Sequence, residues 1–98
     1  MDVLFRDATY QLLESDPKFT GGHSAAIVKA YRNRVNFIRQ ALDERDLYAW
    51  RSLRFEKLKG NRSHQYSLRL NDQWRLIVEF DGISPNKKIV IVRIEDYH

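Results

Sequence analysis

The first half of the chain has apolar residues at helical spacing. They recur every three or four positions and form one stripe: Ile27, Tyr31, Val35, Ile38 and Leu42. This spacing is typical of an amphipathic helix with one buried face. Ser24 is a suitable N-cap, because its hydroxyl can accept a hydrogen bond from the first turn. The pattern therefore predicts a helix over 24–45, with residual helix to about Trp50.

A shorter helix is predicted before this one. Asp7 is a plausible N-cap for the segment ATYQLLES. The helix should end at Asp16-Pro17, because the residue before a proline avoids helical geometry. The apolar residues Val3 to Phe5 can open the chain as a short strand, and Gly21-Gly22 marks a loop between the two helices.

The second half of the chain predicts three strands. They are HQYSLRL (64–70), WRLIVEF (74–80) and KIVIVRIE (88–95). The segment DGISPN between the last two is a turn by its Gly, Pro and Asn. Helices come first and an antiparallel meander follows, which indicates an α+β fold. At 98 residues the chain has the length of one domain, spanning 1–98.

The register of the first hairpin follows from keeping one sheet face apolar. A three-residue turn at 71–73 pairs Leu70 with Trp74, Leu68 with Leu76 and Tyr66 with Val78. The same register places Arg69 directly opposite Arg75 on the other face, where like charges are unfavourable.

Side chains of the last predicted strand should alternate between the apolar face of the sheet and the face that carries Arg69 and Arg75. Val90, Val92 and Ile94 are expected on the apolar face. Arg93 joins Arg69 and Arg75 on the other face, with two carboxylates nearby, Glu79 and Glu95. Ile77, Ile89 and Ile91 also fall there, so this face should be partly covered. The charges either pair as Arg–Glu bridges or form a cradle for phosphate, and the pattern favours neither.

Composition narrows the class of protein. The chain has 17 Lys and Arg against 13 Asp and Glu, and the net charge of +4 favours an anionic partner such as nucleic acid. Most of the basic residues are arginine, which suits bidentate phosphate contacts. The chain has no cysteine. It has no apolar run long enough to cross a membrane and no signal-peptide pattern, so we expect a cytoplasmic protein.

The candidate chemistry is acid–base chemistry without a metal or cofactor. The sequence has no HxxxH or HExxH spacing and no glycine-rich phosphate loop. It does have a basic and polar set in its second half: Lys59, Arg62, Arg69, Arg75, Arg93, Asp96, Tyr97 and His98. RNA supplies its own nucleophile, the 2′-hydroxyl. Cutting it needs only alignment, proton transfer and cations for the phosphate charge.

Two linked segments, LKGNRSHQYSLRLNDQWRLIVEF and VRIEDYH, resemble the HigB toxins of the RelE/ParE superfamily, which belong to bacterial type II toxin–antitoxin systems. The similarity is close over the last forty or so residues, and the preceding helices match in length and layout. It implies two helices packed on a small twisted antiparallel sheet. It also implies an mRNA endonuclease that works in the ribosomal decoding site, and a HigA-like helix-turn-helix antitoxin as partner.

The resemblance also implies roles for individual residues. Lys59 would contact phosphate, and Arg75 would steady the scissile phosphate. Asp96, Tyr97 and His98 would be the acid–base and orienting groups. Arg62, Arg69 and Arg93 are the candidate RNA-binding residues.

The chain departs from the family pattern at one position. Some members have a histidine two residues before the Leu-Lys of the loop, where this chain has Glu56. Either Glu56 acts as the base, or His98 carries more of the proton transfer.

Two other functions fit the same fold. A relative could poison a target other than RNA, as ParE-type toxins do with DNA gyrase. A non-catalytic module that binds RNA or protein is the third reading. The terminal Asp96-Tyr97-His98 favours RNA cleavage, because a gyrase poison needs no proton-transfer residues.

Overall fold

The computed structural model describes residues 1–97, so the predicted site residue His98 lies outside the described part of the chain. The chain forms five strands and three helices in this order: β1 (Val3–Phe5), α1 (Ala8–Ser15), α2 (Ala25–Gln40), α3 (Glu44–Ala49), β2 (Glu56–Lys57), β3 (Gln65–Arg69), β4 (Trp74–Asp81) and β5 (Lys88–Asp96). Two 3₁₀ turns lie at Arg51–Leu53 and Gly60–Arg62. The predicted α+β class is confirmed.

Both predicted helix caps are present. The Asp7 carboxylate accepts a hydrogen bond from the Thr9 backbone N–H at 2.8 Å, which satisfies a free donor in the first turn of α1. The Ser24 hydroxyl accepts one from the Ile27 N–H at 3.2 Å at the start of α2. Local side-chain chemistry therefore sets where these two helices begin.

The prediction of one continuous helix over 24–45 is wrong. Helix α2 ends at Gln40, and Ala41 is extended, with φ −65° and ψ 141°. Asp43 caps a separate helix α3 by accepting from the Arg45 N–H, and the Asp46 carboxylate accepts from the Leu42 N–H at 2.8 Å. These two aspartates offer the backbone an alternative to helical bonds.

The apolar stripe ends with α2. Ile27, Tyr31, Val35 and Ile38 are buried, as predicted, but Leu42 is 89% exposed because it lies beyond the break.

The five strands form one sheet in the order β1-β5-β4-β3-β2. Strand β1 pairs parallel with β5, and the other neighbours are antiparallel. The prediction of an antiparallel sheet with two helices is therefore corrected to a mixed sheet with three. A parallel pair needs a long crossover between its strands, and the whole helical half of the chain lies between β1 and β5.

The predicted hairpin register is confirmed. Leu68 lies opposite Leu76, Tyr66 opposite Val78 and Arg69 opposite Arg75. In the three-residue turn, the Asn71 side-chain oxygen accepts from the backbone N–H groups of Gln73 and Trp74, both at 2.8 Å. This short polar side chain closes the turn and holds the register.

A β-bulge changes the prediction for the last strand. Ile77 lies opposite Arg93, but the next residue, Val78, lies opposite Ile91, so Val92 is an extra residue on β5. The placement of Val90 and Val92 on the apolar face is therefore wrong. Ile89 and Ile91 enter the core instead, and alternation resumes so that Ile94 enters it as predicted.

The helices and one face of the sheet enclose the hydrophobic core. Leu13 of α1, the buried stripe of α2 and Leu47 of α3 pack with the inward residues of β3, β4 and β5. We call the opposite side the outer face, and its residues on the three long strands include Gln65, Ser67, Arg69, Arg75, Ile77, Glu79, Val90, Arg93 and Glu95. Its centre is covered, as expected, since Ser67 and Ile77 are each 1% exposed.

None of the helices within residues 1–97 combines the length and the apolar character needed to cross a lipid bilayer.

The break after α2 predicts unequal effects of two alanine substitutions. Ile38→Ala leaves a cavity in the core and should lower the free energy of unfolding by about 2–5 kcal/mol. Leu42→Ala should change it by less than about 0.5 kcal/mol, because this side chain is exposed. Equilibrium urea unfolding measures both. Equal losses would show that α2 continues through Leu42.

Candidate active site on the outer face

A pocket at one edge of the sheet brings together residues from two separate segments. It has a volume of about 360 Å³ and is lined by Glu56, Lys57, Leu58, Lys59 and Tyr97. Three of the predicted catalytic residues, Glu56, Lys59 and Tyr97, thus share one pocket. The first two come from β2 and the turn after it, and Tyr97 follows β5.

Strand pairing explains how Glu56 and Lys59 reach this pocket. Glu56 lies opposite Ser67, a residue of the outer face, and is exposed. The Leu58 N–H then donates to the Gln65 carbonyl at 2.9 Å, which continues the β2–β3 pairing. Gly60 has φ +65°, a conformation that favours glycine, so the Leu-Lys-Gly motif turns the chain immediately after Lys59.

Tyr97 is held against Arg75. The Arg75 Cζ lies 4.3 Å from the centre of the Tyr97 ring, a cation–π contact. The Tyr97 backbone N–H donates to the Gln73 carbonyl at 2.6 Å. The ring remains 48% exposed. Tyr97 therefore has a fixed backbone and a stacked ring, with one side open to a ligand.

Arg75 is itself anchored. It is 8% exposed, and its Nη1 donates to the Asn71 carbonyl at 2.6 Å and to the Trp74 carbonyl at 3.3 Å. A guanidinium has five N–H donors, so this anchoring uses part of its capacity. The charge sits directly beneath Tyr97, close to the pocket.

Asp96 lies on the other side of β5. It is opposite Trp74, whose ring packs against the core, whereas Tyr97 contacts Arg75 on the outer face. Successive side chains of a strand point to opposite faces. Gln73 Nε2 donates to the Asp96 carboxylate at 3.2 Å. The structure therefore separates Asp96 from the pocket that Tyr97 lines.

The three candidate RNA-binding arginines all have carboxylate partners. Arg62 and Arg93 both donate to Glu95, and Arg69 pairs with Asp72. Of the Arg–Glu bridges considered from the sequence, the one between Arg93 and Glu95 is present. The hydrogen bond from Arg62, aided by that from Arg93, lowers the pKa of Glu95 against the opposing effect of burial.

A second carboxylate on the outer face has a similar environment. Glu79 receives two hydrogen bonds from Arg6, at 2.7 and 3.0 Å, and one from Gln65 at 2.9 Å. The Arg6 hydrogen bond is the main reason that the pKa of Glu79 is lowered, again against burial. Gln65 links Glu79 to the Arg62–Glu95 pair, because its side-chain oxygen accepts from Arg62 Nε at 3.0 Å.

A family model described as the RelE-like toxin of the type II toxin–antitoxin system HigB matches residues 4–98. The chain belongs to this HigB-like family. The resemblance seen in the LKG, NDQWR and DYH motifs is confirmed. This HigB-like protein is thus the toxin component of a type II system, a class of toxin that is paired with an antitoxin.

Solved structures share the fold of this HigB-like toxin at low sequence identity. A YoeB/ParE toxin from Agrobacterium tumefaciens has 14% identity and a TM-score of 0.61, with both chains covered completely. The toxin fold in a YoeB-YefM complex from Staphylococcus aureus has 24% identity and a TM-score of 0.56, covering 100% of this chain and 97% of that one. A YoeB dimer from the same organism has 22% identity, a TM-score of 0.50 and the same coverage. A search of curated protein sequences found no match.

Some residues that shape the site of this HigB-like toxin were not predicted. Asn71 anchors Arg75 through its carbonyl and closes the turn with its side chain, and its place in the Asn-Asp-Gln-Trp-Arg motif was a usable signal. Arg6 reaches Glu79 only because β1 lies beside β5. Nothing in the local sequence around Arg6 indicates that contact.

The two lowered pKa values predict acid sensitivity. Each carboxyl group has a lower pKa folded than unfolded, so its stabilising contribution is complete above the ordinary glutamate value of 4.5 and is lost as the pH falls through the folded value. We expect the free energy of unfolding, measured by urea titration, to decrease below about pH 4.5.

Removing both carboxyl groups tests whether they cause the acid sensitivity. The double variant Glu79→Gln, Glu95→Gln should lose stability at pH 7 and show a weaker decrease on acidification. The double variant Arg6→Gln, Arg62→Gln removes the hydrogen-bond donors instead. It should also weaken the decrease in stability on acidification, because the pKa of each glutamate then moves towards its ordinary value. An unchanged pH dependence in both double variants would refute the assignment.

Proposed function

We propose that this HigB-like toxin is a ribosome-dependent mRNA endonuclease that inhibits translation. The observation that carries the proposal is the pocket in which Glu56, Lys59 and Tyr97 meet, with Arg75 beneath the tyrosine ring. This arrangement places a carboxylate, a phenol and a lysine at an accessible edge of the sheet, with the largely buried guanidinium of Arg75 behind the phenol ring. These are the group types that cleavage through the RNA 2′-hydroxyl requires.

In the proposed reaction, the 2′-hydroxyl attacks the neighbouring phosphorus and the bond to the 5′-oxygen breaks. Glu56 takes the 2′-hydroxyl proton, which is the role suggested by its position in the pocket. Lys59 and Arg75 stabilise the additional charge on the phosphate oxygens. His98 supplies the proton to the leaving 5′-oxygen, and Tyr97 orients the scissile nucleotide by its exposed ring. Asp96 holds the Gln73 side chain rather than the substrate, given its place on the other side of β5.

Arg62, Arg69 and Arg93 would guide the RNA backbone across the outer face. Their ion pairs reduce but do not remove the positive charge, because Arg62 and Arg93 share a single carboxylate. Each guanidinium keeps N–H groups for phosphate. Binding of this kind weakens as salt concentration rises.

The exposure of the site residues supports dependence on the ribosome, since Glu56 and Lys59 are both exposed. Alignment of a nucleophile can contribute about 7–11 kcal/mol to catalysis, and exposed side chains on a small domain hold flexible RNA less firmly than a particle that binds the codon. A ribosome holding the codon would supply it. The toxin would then act in the cytoplasm and be neutralised by a HigA-like helix-turn-helix antitoxin.

Cleavage on translating ribosomes tests the proposal. Purified toxin should cut mRNA inside the codon in the decoding site, as mapped from the new mRNA ends. Glu56→Gln, Lys59→Ala and Arg75→Ala should each slow the cleavage about 100-fold or more, because each removes proton transfer or charge stabilisation. His98→Ala tests the second proton-transfer role.

The matched control is Lys18→Ala. It removes one positive charge, as Lys59→Ala does, but from an exposed position between α1 and α2. It should leave the rate unchanged. Growth arrest without any mRNA cleavage would contradict the nuclease function, and inhibition of gyrase supercoiling would then support the ParE-like alternative. Cleavage of naked RNA at the ribosomal rate would contradict ribosome dependence.

A further inference from the structure

The candidate site depends on the relative position of two separate segments. Lys59 belongs to the turn after β2, and Tyr97 follows the far end of β5. The backbone hydrogen bonds of the turn are local: the Arg62 N–H donates to the Lys59 carbonyl at 3.3 Å, and the Ser63 N–H donates to the Gly60 carbonyl at 3.1 Å. These bonds shape the turn but do not connect it to β5. The β2–β3 pairing holds the chain as far as Leu58, and the residues after Lys59 need a further contact to be fixed relative to β5.

The side chain of Arg62 makes that connection. Arg62 is the last residue of the 3₁₀ turn, and its Nη1 and Nη2 donate to the two carboxylate oxygens of Glu95 at 2.9 and 3.0 Å. Glu95 lies on β5 only two positions before Tyr97 and directly opposite Arg75. The contact therefore runs from the Lys59 turn to the part of β5 that precedes the tyrosine.

The geometry of this contact suits a positioning role. A bidentate Arg–carboxylate pair fixes both distance and orientation, unlike a single point contact. Arg62 Nε is also fixed, because it donates to Gln65, which is 7% exposed. Arg93 donates to Glu95 Oε1 at 3.0 Å, so the carboxylate is held from a second side. Both members of the pair are thus restrained by additional neighbours.

We propose that Glu95 is a positioning residue for the cleavage site. By holding Arg62, it sets the distance between Lys59 and the stacked pair of Tyr97 and Arg75. This role rests on the proposed nuclease function, and it requires no contact between Glu95 and RNA. On electrostatic grounds alone, a carboxylate on an RNA-binding face would weaken binding.

A matched pair of variants separates the effect of Glu95 on pocket geometry from the effect of its negative charge. Glu95→Gln and Glu79→Gln each remove one negative charge from the outer face, and each disrupts a bidentate arginine pair. Glu95 accepts directly from Arg62 of the turn, whereas Glu79 is paired with Arg6 after β1 and reaches Arg62 only indirectly, through Gln65. Electrostatic effects on RNA binding should therefore be similar in the two variants, and effects on pocket geometry should differ.

Single-turnover cleavage on ribosomes gives the first readout. Glu95→Gln should lower the rate constant at saturating toxin about 10- to 100-fold, as expected for a small misplacement of catalytic groups, while ribosome affinity stays equal or increases. Glu79→Gln should have the same affinity as Glu95→Gln and a rate within about threefold of the wild type. Equal rates in the two variants, whether normal or reduced, would overturn the proposal.

Hydrogen exchange gives a readout that does not depend on cleavage. The backbone amides of residues 58–64 should exchange faster in Glu95→Gln than in Glu79→Gln or the wild type, because the turn has lost its anchor on β5. Unchanged exchange would overturn the proposal. If the wild type failed to cut mRNA on ribosomes, the nuclease function and the cleavage role of Glu95 would fall together. Faster exchange in Glu95→Gln would then show that the anchor exists without that role.

Discussion

Strand β4 lies between β3 and β5, and its two faces have different environments. Leu76 and Val78 point into the core beneath the helices, and Arg75, Ile77 and Glu79 point to the outer face. A shift of one residue in either pairing would exchange these faces and place charges in the core. The register of β4 is therefore the constraint on which both the core and the candidate site depend. The turn that closes on Asn71 and the bulge at Val92 are the local devices that maintain it.

The outer face tolerates many arginines because each has a defined partner. Arg69 and Arg75 face each other across the hairpin, an arrangement that costs free energy without compensation. Arg69 pairs with Asp72, whose pKa is lowered chiefly by that hydrogen bond. Arg75 donates to backbone carbonyls and stacks beneath Tyr97. Repulsion is thus reduced, and the Arg69 side chain stays 30% exposed, where an anionic ligand can reach it.

The same contacts link stability to the proposed chemistry. Glu79 and Glu95 neutralise part of the arginine charge, and they also connect segments that are distant in the chain. The HigB-like toxin in this way assembles its candidate site from the turn after β2, the hairpin and the end of β5. No single segment carries the full set of groups.

The family signature in the last forty residues carried much of the functional prediction. It suggested roles for Lys59, Arg75 and Tyr97, which stay predictions; in the structure Lys59 and Tyr97 line one pocket and Arg75 contacts the Tyr97 ring. The predicted last strand ended at Glu95, so no face was assigned to Asp96 or Tyr97; β5 in fact runs to Asp96, and the two side chains lie on opposite sides of the sheet. Glu56 was noticed because it departs from the family pattern, and its pairing with Ser67 explains its place in the pocket.

Local sequence determined the features that depend on neighbouring residues. Asp7 and Ser24 cap helices, the spacing of Val35 and Ile38 defines a buried face, and the three-residue turn sets the β3–β4 register. These features follow from backbone hydrogen bonding and side-chain periodicity over a few positions. Only the tertiary structure decided the remainder: the parallel β1–β5 pair, the bulge that moves Ile91 into the core, and the Arg62–Glu95 contact. Each of these features depends on packing between segments that are far apart in the chain. Several strand and side-chain pairings are compatible with the local sequence pattern, and only one of them gives the complete hydrophobic core.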